Sequence, residues 1–337
     1  MNSASNPFAP GAGTPPPELA GRDRIIEEAR VALARVRAGR PARSQMLLGL
    51  RGVGKTVLLN RIAGIAAEER YLTVLLEAPE GRSLAEMLVP PLRKLLFKLS
   101  RGERVQTRAR RALAVLRSFA AAFKVSVGEI EFGVEPEVGT ADSGSLEADL
   151  PELLLAVAAA AKEAERAVAL FVDEVQYLSA EDLAALIVSV HRMGQKGRPF
   201  VFFGAGLPQL AALAGEAKSY AERLFAFPDV GPLAADAAAE AIRQPIRRRA
   251  MAELGPGPHR SGDIARLLGE PVTAVAPLRN GLIRKGMIYS PAFGDTAFTV
   301  PMFDEFMRRS IPDWSPGAAE ARREKGKKRR AAKGAGP

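Results

Sequence analysis

Eight consecutive residues, Gly49-Leu50-Arg51-Gly52-Val53-Gly54-Lys55-Thr56, fit G-x-x-x-x-G-K-[ST] without a mismatch. The apolar run Met46-Leu47-Leu48 precedes them, and Val57-Leu58-Leu59-Asn60-Arg61-Ile62 follows. The context therefore reads strand, glycine loop, helix, which is what a phosphate-binding loop requires. Glycines let the backbone turn so that successive N–H groups point at phosphate oxygens, and the helix N-terminus adds its positive end. In this reading Lys55 reaches the β- and γ-phosphates, and the Thr56 hydroxyl takes a place on Mg²⁺. The alternative is a glycine-rich turn that carries a lysine by chance, and it leaves both flanks unexplained. The motif predicts binding of a nucleoside triphosphate.

Around this loop the apolar pattern alternates between two periods. Ile25 to Val36 has helical spacing, and Tyr71 to Leu76 is short and β-rich. Leu84 to Leu99, Arg108 to Phe123 and Leu146 to Ala167 read as helices, with a small hairpin expected over Val125 to Val134. Val168-Ala169-Leu170-Phe171-Val172-Asp173-Glu174 is a continuous apolar run ending in two carboxylates, which suits a central strand buried on both faces. A helix (Ala180 to Met193), a strand (Phe200 to Phe203) and a helix (Pro208 to Leu224) follow. Such alternation predicts an α/β fold: a parallel sheet flanked by helices, with ligand at the carboxyl ends of the strands. There Asp173 would approach the Mg²⁺ held by Thr56, and Glu174 could deprotonate an attacking water. Two acids at a strand end can also simply face solvent; the neighbouring phosphate loop favours the catalytic reading.

Composition excludes several other classes. The 337 residues contain no cysteine and two histidines, His191 and His259, so disulfides, thiolate sites and a histidine metal centre are not expected. The first twenty-one residues are rich in Pro, Gly, Ser and Ala and do not resemble a signal peptide. The longest apolar run, Leu153 to Ala161, is too short for a membrane span, so a soluble, cytoplasmic protein without membrane partners is expected. The net charge is +10, and six of those charges come from Ser315–Pro337, where eight Lys or Arg face two Glu. The basic character belongs mostly to a tail.

Gly49–Thr56 and Leu170–Glu174, together with Gly21-Arg22, resemble the AAA+ ATPases, in particular the origin-recognition-complex-like branch found in bacterial ATP-binding proteins. Gly-Ala-Gly-Leu-Pro at Gly204–Pro208 and Lys-Ser-Tyr-Ala-Glu-Arg-Leu-Phe at Lys218–Phe225 are similar to that group. The resemblance implies that Gly21 and Arg22 line an adenine pocket. It also implies that Arg223 is an arginine finger acting on a neighbour's γ-phosphate in a homo-oligomer, against the plainer reading of a solvated helix-end charge. Two departures stand out. The end of the fourth strand, Phe203-Gly204-Ala205-Gly206, lacks the polar side chain usual there. The helical lid that normally follows is reduced to Ala234–Arg249, one helix containing Pro245.

Arg249 to Glu253 can form a short helix before Gly255-Pro256-Gly257-Pro258. Ser261 is suited to cap a helix from Gly262 to Leu268, which Gly269 ends. A third helix runs from Thr273 to Lys285, and two β-rich segments then flank Pro291–Asp295. Three helices and a hairpin resemble a winged helix-turn-helix, the domain expected after the ATPase in this group. In DNA-binding examples the third helix enters the major groove, with Arg279, Asn280, Arg284 and Lys285 exposed and Val275, Leu278, Leu282 and Ile283 packed inward. Winged helices also serve as protein-contact modules, and a basic tail can be merely solubilising.

The expected layout is a disordered segment over 1–20, a P-loop AAA+ domain over 21–233, a shortened lid over 234–248, a winged helix over 249–312 and a disordered basic tail over 313–337. The favoured function is an ATP-dependent switch whose nucleotide state alters DNA contact, with Mg²⁺ as cofactor. Its rival is an ATP-binding interaction protein with little turnover. A small-molecule phosphotransferase leaves the C-terminal domain unexplained.

Overall fold

The structure, a computed structural model, describes residues 19–101, 105–125, 132–238, 251–255, 257–284, 288–292, 294–299 and 303–310. The chain divides into a unit of Gly21–Leu233 and a second one that takes in the residues from Ala234 on.

The first unit is built on a parallel five-stranded sheet: β1 (Ser44–Leu48), β2 (Leu72–Glu77), β3 (Val168–Asp173), β4 (Phe200–Gly206) and β5 (Phe225–Ala226), in the order β2-β3-β4-β1-β5. Helices α1 (Asp23–Arg37) and α2 (Lys55–Glu68) contribute to the core on one face of this sheet. Helices α3 (Leu84–Ser100), α4 (Gln106–Ala122), α5 (Leu146–Glu163) and α6 (Ala180–Gln195) contribute to the core on the other. Along β3 the alternation of side chains is visible in the packing: Val168, Leu170 and Val172 join one core, and Ala169 and Phe171 the other. This is why the strand reads as an unbroken apolar run. Edge strand β2 buries only Leu72, Val74 and Leu76.

Several boundaries differ from the sequence expectation. The single helix expected over Pro208–Leu224 is two short ones, α7 (Leu210–Ala217) and α8 (Ala221–Leu224). Lys218 between them is extended, and its ammonium reaches Glu147 at 2.7 Å. Helix α5 stops at Glu163 rather than Ala167, because the chain must turn to begin β3. Arg166 in that turn donates to the carbonyls of Arg70 and Tyr71, tying it to the start of β2. Strand β5 is only two residues long and carries no periodicity. It is held by Arg43, which donates to the carbonyls of Glu222 and Phe225. The hairpin expected over Val125–Val134 lies mostly outside the described residues, as does most of Ala234–Arg249.

The second unit contains β6 (His259–Arg260), α9 (Ser261–Leu268), α10 (Val272–Arg284), β7 (Ile288–Tyr289), β8 (Asp295–Phe298) and α11 (Phe303–Ser310). Its strands form an antiparallel sheet in the order β6-β8-β7. Met251, Ile264, Val275, Leu282, Ile288 and Phe298 fill its core. Ser261 does not cap α9 as expected. It is the first residue of the helix, and its hydroxyl donates to the Gly294 carbonyl, fastening the helix to the turn before β8. Gly269 ends α9 at a φ of 64°.

Candidate functional site

The phosphate loop leaves β1 at a point where the backbone is closely surrounded. The Leu48 amide donates to the Pro228 carbonyl, the Gly49 amide to Gly206, and the Val230 amide to Leu48. A Cβ on Gly49 would stand 2.4 Å from the Val230 carbonyl oxygen, so only glycine fits. Gly52 and Gly54 adopt φ of 81° and 92°, which turns the loop into the first residue of α2. Lys55 is that residue; it is buried, and its ammonium donates to the Leu50 carbonyl at 2.9 Å. The loop thus folds around its own lysine, beside backbone donors that the helix cannot satisfy. Leu50, Arg51 and Gly52 are exposed, and Val53 and Thr56 are half-buried.

Arg22, which follows Gly21 (φ 70°), is buried and braces this loop. It donates to the carbonyls of Val53 at 3.1 Å and Gly231 at 2.6 Å. Burial pulls its pKa below the usual arginine value, and the nearby Asp229 opposes that shift. A guanidinium stays charged through such a shift, so Arg22 remains a donor to both carbonyls. It spans 209 residues of sequence to join the start of the unit to its end.

The first acid, Asp173, ends β3 and the second, Glu174, follows it. Val172, just before Asp173, is opposite Gly204 of β4, which is opposite Met46 of β1. The acid therefore lies two strands from the loop, about 10 Å between strand axes. That separation leaves room between them for the end of a triphosphate. Asp173 is buried, and its carboxylate accepts the amide of Glu174 at 2.9 Å. Glu174 has a φ of 54°, the left-handed region that a side-chain-bearing residue occupies only at a cost of about 1 kcal/mol or more. Two residues just beyond carry no motif in the sequence. Gln176 donates from Nε2 to Glu174 Oε2 and accepts the Leu207 amide on Oε1 at 3.1 Å. The Tyr177 hydroxyl accepts from Arg51 of the loop at 2.6 Å. The only signal for either was position, two and three residues after the acid pair. Thr56 and Asp173 offer the hard oxygen donors that suit Mg²⁺. Among the described residues no three of His, Cys, Asp and Glu cluster as a metal site, so phosphate oxygens and water would complete the shell.

Arg223 lies on α8, exposed, and no hydrogen bond or ion pair engages its guanidinium among the described residues. In the second unit, Arg279 of α10 is half-buried and turned into its own module. It donates to Thr296 Oγ1 at 3.1 Å, to the Asp295 carbonyl at 3.0 Å and to the Ser290 hydroxyl. Lys285 and the side chains of Asn280 and Arg284 lie outside the described residues. No described helix is long and apolar enough to cross a membrane.

Residues 18–203 match the family described as AAA ATPase domain. Residues 243–307 match a domain of unknown function, DUF8462. No curated protein matches the chain. Among solved structures, it is similar to the Aeropyrum pernix ORC2 protein in its ADP form, at 14% identity and a TM-score of 0.39, covering 91% of this chain and 97% of that one. It is similar to the Aeropyrum pernix ORC1 protein in complex with DNA at 12% and 0.37, covering 90% and 95%. For Cdc6p from Pyrobaculum aerophilum the values are 11% and 0.39, covering 91% and 97%.

Proposed function

Because the chain belongs to the AAA ATPase domain family, we propose that it binds and hydrolyses ATP at Gly49–Thr56 and uses the nucleotide state to control DNA contact by the C-terminal unit. The observation that carries the hydrolytic part is that Lys55, Asp173 and Glu174 all lie at or beyond the carboxyl ends of the interior strands β1 and β3. Loop amides and Lys55 bind the phosphates; to do so the lysine exchanges its bond to the Leu50 carbonyl for a phosphate oxygen. Thr56 and Asp173 would hold Mg²⁺, which when bound neutralises charge on the β- and γ-phosphates. Glu174 takes a proton from a water whose oxygen forms a bond to the γ-phosphorus, while the bond to the bridging oxygen breaks and ADP leaves. Arg223, exposed and with no bond to its guanidinium among the described residues, could serve a second copy of the chain.

The C-terminal unit supports a winged-helix reading through its order: strand β6, helices α9 and α10, then the β7–β8 pair closing an antiparallel sheet. DNA is the favoured partner because of the basic segment Ser315–Pro337. A second reading, an ATP-binding protein with little turnover whose winged helix meets another protein, draws on two observations. Arg279 commits its donors within the module, and the end of β4 carries no polar side chain.

Phosphate release under saturating Mg·ATP tests the reaction: Glu174→Gln should slow it by roughly 10²–10⁴. Undetectable release by wild type would favour the second reading. Duplex DNA titrated with and without ATP tests the switch, since a ligand shifts only states that it distinguishes. Equal affinities would remove the nucleotide from DNA control. Deleting Ser315–Pro337 should lessen the log–log salt slope by roughly five.

A further inference from the structure

Resting on the hydrolytic reading above, we infer that Gln176 is a positioning residue that replaces the polar side chain missing from the end of β4 and holds Glu174 in its working pose. Phe203–Gly206 offers the site no polar side chain. The Gln176 amide lies against that same strand end. A Cβ on Gly206 would stand 2.7 Å from Gln176 Oε1, so the glutamine fills the space a side chain at 206 would need. Its two polar ends are bound in opposite directions. Oε1 accepts the backbone amide of Leu207, immediately after β4, and Nε2 donates to the Glu174 carboxylate.

The glutamine thereby fixes the acid relative to the sheet and not merely to its own loop. Such a restraint is needed because the Glu174 backbone sits in the left-handed region, at the tight turn where β3 passes into a single 3-10 turn over Val175–Tyr177. An amide suits the task, for it donates and accepts without changing charge. Gln176 acts through Glu174 and gives up no proton itself.

Two variants separate this role from simple packing. Gln176→Leu removes both bonds at similar size; Gln176→Glu keeps an acceptor for the Leu207 amide and loses the donor to Glu174. Both should release phosphate roughly 10- to 100-fold more slowly, as a misplaced base does. ATP affinity by calorimetry should stay within about two-fold, because neither variant touches the phosphate loop. Gln176→Leu added to Glu174→Gln should slow the reaction no further, since residues that act as a unit are not additive. In the nucleotide-free protein, Glu174→Ala should shift the Gln176 side-chain amide signal in a nitrogen–proton NMR spectrum and speed its exchange with water.

A Gln176→Glu variant as fast as wild type would overturn the inference, as would full additivity or an unmoved amide signal. Turnover stopped by Glu174→Gln yet indifferent to Gln176→Leu would sink this inference alone. A wild type that releases no phosphate would remove the hydrolytic reading and this role together.

Discussion

Each unit holds a cation that the sequence singles out for an anion, Lys55 in one and Arg279 in the other, and the two are held differently. In the α/β unit, β3 and β4 are buried along their whole length, and the candidate residues sit just past the ends of these strands or of β1. Two cores fix the strands, so Asp173 and Lys55 are placed by packing elsewhere, and Lys55 has, among the described residues, only the Leu50 carbonyl to exchange for a ligand. In the C-terminal unit the strands are two to four residues long, and a small core supports them. There Arg279 is part of the scaffold, joining α10 to the β7–β8 pair. Where the core is large, a functional side chain need not also hold the fold. Where it is small, the same side chain is drawn into structural work.

The sharpest test of that contrast is Gly49→Ala. Its methyl would overlap the Val230 carbonyl, a backbone atom with no room to retreat, so a loss of about 3 kcal/mol is expected in chemical denaturation. A variant as stable as wild type would mean that the loop's surroundings yield more than its packing suggests. Next comes Lys55→Ala. At ~100 Kd, ATP should stabilise the wild type by about 2.7 kcal/mol and raise its melting midpoint by roughly 5–10 °C. The variant should show no nucleotide shift; a retained shift would place binding elsewhere.

For the C-terminal unit, Arg279→Ala should cost about 1–2 kcal/mol, because it leaves the buried Thr296 hydroxyl without its donor. Faster amide exchange in β7 and β8 would register the loss. Unchanged exchange with a fall in DNA affinity would instead make Arg279 a contact residue and erase the distinction drawn between the units. The smallest effect is expected from Gly64→Ala within α2, where an added Cβ meets nothing within 4 Å. Helix propensity alone should then stabilise by about 0.5–1 kcal/mol. The same substitution thus changes sign between two glycines of one loop-and-helix segment.

The fold of the first unit is legible in the chain because its signals are local. The six residues from Val168 to Asp173 suit a strand covered on both sides, and Gly49–Thr56 carries its turn in its glycines. The phosphate loop and the acid pair can therefore be read from neighbouring residues alone. Other features cannot, since no local pattern encodes them. Strand β5 is too short to show a period, and the partner of Lys218 at the break between α7 and α8, Glu147, lies far away in sequence. Ser261 has the chemistry of a cap, yet its hydroxyl prefers the Gly294 carbonyl.

What the sequence alone determined is the alternating α/β plan, the residues of the phosphate loop and the acids after β3, because backbone conformation and apolar period follow from neighbours in the chain. The tertiary structure decided which polar side chains brace that plan: Arg22 between Val53 and Gly231, Gln176 between Glu174 and Leu207, Arg279 between α10 and its sheet. A hydrogen bond depends on where two groups end up in space. Apart from Gln176 and Glu174, two positions apart, these partners are 16 to 209 positions apart in sequence and meet only once the strands have set their distance.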